Sequence, residues 1–156
     1  MKTVGLCLLF LCISSIGACR AGKAEKGIRQ EEAFLSLIGR IRRQICCFHR
    51  PLSEIFAGFS GIDAEFDAVL RERGLEEALE KCAASLSVSP PCARLLSEFA
   101  GETGKSDAAE QIRLCDAAAS ALASQIASER AALPAKRRAA LTLSFSGAAM
   151  AVLLCL

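Results

Sequence analysis

Two stretches without a charged residue bracket this chain and limit what it can fold into. Residues 3–19, TVGLCLLFLCISSIGAC, and residues 139–156, AALTLSFSGAAMAVLLCL, hold no Asp, Glu, Lys or Arg. Each is near the lower end of the roughly 20 apolar residues that cross a hydrocarbon core as a helix. The chain's hydrophobic content of 53% is high for an ordinary soluble domain, and the excess sits in these two stretches. Basic residues sit on the inner side of both: Arg20, Lys23, Lys26 and Arg29 follow the first, and Lys136, Arg137 and Arg138 precede the second. Between them, residues 30–132 carry 11 Lys/Arg against 16 Asp/Glu, a net of −5. By the positive-inside rule both basic collars face the cytoplasm, and so does the acidic region they enclose. The expected organisation is an N-terminal membrane anchor at 1–19, a cytoplasmic domain at 20–138 and a C-terminal membrane segment at 139–156. Membrane lipid is then one partner. Nucleic acid is not, because the middle is acidic and the basic residues have a membrane role.

Two other readings of the N-terminus remain. A cleaved secretory signal would place its basic residues before the apolar run, where only Lys2 stands. A lipoprotein signal would attach lipid to Cys19, since Ile16-Gly17-Ala18-Cys19 fits a lipid-attachment box loosely; the domain would then lie outside the cell.

The middle reads as all-α. Phe34, Leu37, Ile38, Ile41, Ile45 and Phe48 recur at steps of three and four and predict one long helix over about 28–48. Pro51 ends it. Ser53 is the expected cap of a short helix at 53–58, and Gly58 and Gly61 its stop. Asp63 is the expected cap of the next helix, with Phe66, Val69 and Leu70 facing inward, and Gly74 its end. Ser89-Pro90 reads as another helix start, with Leu95, Leu96 and Phe99 on the apolar face. A last long helix spans about 107–133 on Ile112, Cys115, Ala119, Leu122, Ile126 and Leu133, and Pro134 predicts a stop or kink. The fold expected is a compact bundle of about six helices between two hydrophobic membrane segments.

Gly101-Glu102-Thr103-Gly104-Lys105-Ser106 resembles the end of a phosphate-binding loop. Such a loop needs a glycine where Phe99 stands and a strand leading in, where ARLLSEFA predicts a helix. Gly101 and Gly104 therefore read as helix stops, with Ser106 or Asp107 capping the helix that follows. Of nine cysteines, Cys7, Cys12, Cys19 and Cys155 lie in or at the apolar runs. Cys46, Cys47, Cys82, Cys92 and Cys115 are irregularly spaced, as free thiols of a reducing compartment would be. Cys46-Cys47-x-His49 lacks the paired spacing of a zinc site. His49 is the only histidine, and no acids are paired for proton transfer. No catalytic residue, metal or cofactor is expected.

Three motifs carry a resemblance to the stage III sporulation protein AB family, and the likeness covers essentially the whole chain. Arg29-Gln30 opens the first long helix. Pro51-Leu52-Ser53-Glu54 matches a Pro-Leu-x-Glu turn. GKSDAAEQI, containing Gly104, Ser106, Asp107 and Gln111, matches a Gly-x-Ser-Asp joint followed by Gln. The resemblance implies a non-enzymatic platform, similar to the helical cytoplasmic domains of the inner-membrane platform of type II secretion systems. It further implies partners in an eight-protein channel between mother cell and forespore, including a secretion-type ATPase, and a place in the mother-cell membrane facing the forespore. Two places depart from the family pattern. Arg42-Arg43-Gln44 stands where acids are usual, and Pro134 precedes the second apolar run.

Overall fold

A computed structural model describes the backbone of residues 2–48 and 50–155, with side chains at residues 22–139 except His49, and at Thr142 and Ser146. Among the described residues there are six α-helices and no strand: α1 (Lys2–Phe48), α2 (Leu52–Ala57), α3 (Ala64–Arg73), α4 (Leu75–Cys82), α5 (Pro90–Glu102) and α6 (Ala108–Cys155). The chain divides into two compact units, residues 27–128 and residues 1–26 with 129–156.

In the unit of residues 27–128, the apolar stripe of α1 is the spine of the core. Phe34, Leu37, Ile38 and Ile41 are all at most 1% exposed. The Phe34 ring meets Phe66 of α3 edge to face, with centroids 5.2 Å apart and planes at 84°, the arrangement that sets ring edge against π-face. Leu70, Ala78, Leu96 and Leu122 close the core from α3, α4, α5 and α6. Ile45, at the end of the expected stripe, is only half-buried, and Phe48 is exposed.

Turn chemistry sets the short helices. Pro51, with φ −66°, is the N-cap of α2, and its carbonyl accepts from Glu54 and Ile55. Ser53 is therefore the second residue of α2 and not its cap, because the fixed φ of Pro51 starts the helix one step earlier. Asp63 caps α3 as expected, accepting from the Glu65 N–H. Asp67 is buried and accepts from the N–H groups of Gly61 and Ile62, folding the preceding loop onto α3. Gly74, at φ +89°, ends α3 and starts α4.

Two further expectations change. Gly101 does not stop α5, which runs to Glu102; the stop is at Thr103 and Gly104, where Thr103 donates through both N and Oγ1 to the Phe99 carbonyl. Pro134 does not stop α6, which runs through it for 48 residues in all. Proline removes one hydrogen bond, to the carbonyl four residues back. Ala-rich turns on both sides keep the rest of the helix intact.

The unit of residues 1–26 with 129–156 contains the first part of α1 and the last part of α6. Among the described residues, no helix is long and apolar enough to cross a membrane. The side chains of the two apolar runs, apart from Ala139, Thr142 and Ser146, lie outside the described residues, as do Cys7, Cys12, Cys19 and Cys155. Cys46 and Cys47 are exposed free thiols, and Cys82, Cys92 and Cys115 are buried ones.

Candidate functional site

The motif residues gather at two ties within the unit of residues 27–128. The first joins α5 to α6. Gly104 takes φ +87°, a left-handed value that costs glycine least. The Thr103 N–H donates to Phe99 O at 3.0 Å and the Lys105 N–H to Glu102 O at 3.3 Å. Both N–H groups thus turn back onto the α5 end, and a helix leads into the turn, so this stretch is a helix joint rather than a phosphate cradle. Asp107 caps α6: its Oδ1 accepts from the Glu110 N–H at 2.8 Å, and its carboxylate suits the positive helix end. Ser106 does not cap. Its hydroxyl accepts from Gln111 Nε2 at 2.9 Å.

Gln111 locks this joint. It is 4% exposed, and the same Nε2 donates to the Glu102 carbonyl at 3.2 Å. One side chain on the first turn of α6 therefore holds the last turn of α5. The Pro51-Leu52 motif meets the joint here, since a Cβ built on Gly104 would stand 3.1 Å from Leu52 Cδ1. Leu52, Gly104, Ser106, Asp107 and Gln111 thus form one cluster, with Pro51 adjacent as the cap of α2.

The second tie is Gln30, and it does not join that cluster. Gln30 is buried, and its Oε1 accepts from the Ser87 N–H at 2.7 Å. Beside it Glu31, fully buried, accepts through Oε1 from Ser89 N at 2.9 Å and Ser89 Oγ at 2.7 Å. The hydroxyl of Ser89 is thereby drawn away from its own helix, so Ser89 is the N-cap of α5 without a side-chain cap. Gly27 completes the tie, because a Cβ there would come within 2.4 Å of the Ser87 carbonyl oxygen. Arg29 is exposed on the other side of α1.

Glu31 and Gly27 were not singled out from the sequence, though a signal exists. Gly27, Gln30 and Glu31 extend the Phe34–Ile38–Ile41 face backward at helical spacing. Two polar residues on a face that continues as core are partners for buried backbone groups. The departure at Arg42 also finds its explanation. Arg42 reaches Asp116 of α6 through Nη2 to Oδ2 at 3.2 Å and through Nε to Oδ1, so its charge is matched within the chain. Beside it, burial and the neighbouring Asp116 push the Cys115 thiol up to about 11.

These features describe a small helical protein whose buried polar residues brace joints between helices, with no group of His, Cys, Asp and Glu among the described residues placed to hold a metal. A family model described as stage III sporulation protein AB matches residues 2–156, and the chain belongs to that family. Its role is therefore sporulation-related. The family is not a known enzyme family. No curated protein and no solved structure matches the chain.

Proposed function

We propose that this chain is a non-enzymatic membrane platform of a sporulation-specific channel between mother cell and forespore, which couples a cytoplasmic motor ATPase to the membrane assembly. The observation that carries the reading is where the family motifs fall: Gln30, Pro51, Leu52, Gly104, Ser106, Asp107 and Gln111 hold helix starts, a turn and inter-helix ties. Such residues keep helices at set angles, which a part that transmits force between a motor and a membrane requires. The two uncharged ends with their inner basic collars supply the anchorage, and the unit of residues 27–128 supplies the cytoplasmic body.

The full chain, expressed with the secretion-type ATPase of the same cells, is expected to sediment with membranes and to bring the ATPase down with it. A chain found wholly in the soluble fraction, or one that leaves the ATPase behind, contradicts the proposal. Ile16-Gly17-Ala18-Cys19 favours a second reading, an envelope lipoprotein carrying lipid on Cys19. A reporter inserted near residue 100 separates the two: it lies in the cytoplasm on a platform and outside the cell on a lipoprotein.

A further inference from the structure

Between α4 and α5 lies a groove of about 290 Å³ lined by Leu79, Leu86, Val88 and Leu96, with the exposed Glu76 and Glu80 completing its lining. Three of these apolar side chains are only half-buried, unlike the core around them. The acids differ from their neighbour Glu77. That carboxylate is bridged by Arg73 at 2.7 Å and Lys81 at 2.9 Å, which holds its pKa below the usual carboxylate value, the Lys81 hydrogen bond first. Among the described residues, Glu76 and Glu80 have no such partner. They stand four apart on α4, a spacing at which like charges repel. A half-exposed apolar groove beside uncompensated negative charge suits a helix that buries an apolar stripe and brings cations to the edge.

We propose that this groove docks a basic amphipathic helix of a partner protein. The proposal rests on the platform reading for the partner's place in the assembly, not for its chemistry. Anionic lipid is a poor occupant because its headgroups would meet Glu76 and Glu80. A second copy is disfavoured because the middle region is net acidic, at 11 Lys/Arg against 16 Asp/Glu over residues 30–132, and Arg42 is already matched to Asp116.

The test uses the full chain in micelles with uncharged headgroups. The probe is a 15-residue helical peptide of Leu and Lys patterned as one apolar stripe, with a twin carrying Glu for every Lys. The Lys peptide is expected to give saturable amide shifts across residues 76–100. Its affinity should fall about tenfold in E76K/E80K and be lost in Ser97→Trp, which fills the groove from an exposed lining position. Circular dichroism identical to the parent checks that both variants fold. Equal binding of the twin, unchanged affinity in E76K/E80K, or shifts confined to residues outside 76–100 would overturn the proposal. So would protection of residues 76–100 that grows with chain concentration without peptide, which would give the groove to a second copy. In cells, E76K/E80K should reach the membrane yet fail to support sporulation. Normal sporulation by that variant overturns the groove's role and leaves the platform reading standing. A parent chain that never reaches the membrane overturns the platform reading and leaves the peptide result standing.

Discussion

One glycine decides whether α5 can turn into α6. Gly104 is at φ +87° with Leu52 close by, so a β-branched side chain there is strained in its backbone as well as crowded. Gly104→Val is expected to cost more than about 1 kcal/mol in a chemical denaturation experiment. Gln111 makes a sharper case, because its Nε2 faces two acceptors, Glu102 O and Ser106 Oγ. Gln111→Ala removes a buried donor, and a loss of about 1–3 kcal/mol is expected. Gln111→Glu places an acceptor opposite the Glu102 carbonyl and should be the less stable of the two. Equal stability of parent and Gln111→Glu would contradict the joint described. Cys115 gives a pH dependence. Its thiol is raised to about 11, so the folded chain keeps that proton longer than the unfolded chain does. The stabilisation is complete below the unfolded thiol pKa and is lost as pH rises through the folded one. Between about pH 9 and 11, the parent should lose more stability than Cys115→Ala, measured as the difference between their denaturation midpoints.

At the scale of elements, α1 meets the segment before α5 at Gly27, where, among the described glycines, an added Cβ would come closest to another atom. Gly27→Ala would push a methyl group into the Ser87 carbonyl oxygen, at 2.4 Å. Backbone must then move, and the Gln30 and Glu31 bonds to Ser87 and Ser89 move with it. A loss of about 1–3 kcal/mol is expected, with faster hydrogen exchange at Ser87 and Ser89. Gly39, also in α1, has nothing within 4 Å of the added Cβ; there Ala should stabilise by about 0.5–1 kcal/mol. If the two substitutions behave alike, the tie is not what holds this segment. The helices between residues 28 and 133 were legible in the sequence because the Phe34–Ile41 stripe and the Asp63, Gly74 and Gly104 signals are local. The outer bounds of α1 and α6 were not: α1 begins at Lys2, not near residue 28, and α6 runs on to Cys155. What was not legible depends on contacts across the chain. Ser89 looked like a cap by its place before Pro90, but Glu31, 58 residues earlier, takes its hydroxyl. Ser106 and Asp107 were interchangeable as caps until Gln111 claimed the first. Pro134 read as a stop because one missing bond is visible in sequence, whereas the strength of the helix around it is not.

At the scale of the whole molecule, the chain behaves as a helical unit at residues 27–128 and a second unit made from its two ends. The core of the first is drawn from all six helices without residues beyond 128. A fragment of residues 27–128 is therefore expected to give an almost wholly helical circular dichroism spectrum and a single cooperative unfolding transition; substantial strand content, or no transition, would contradict the fold. The central claim is that this unit lies in the cytoplasm beneath a membrane. Cys46 and Cys47 are exposed thiols on it, and they report its side of the membrane directly. Intact, non-sporulating cells expressing the full chain are treated with a membrane-impermeant maleimide, and the peptide carrying Cys46 and Cys47 is weighed by mass spectrometry. The platform account predicts that this peptide is unmodified until the cells are permeabilised and then gains label on both thiols. Labelling in intact cells would place the unit outside and contradict the account.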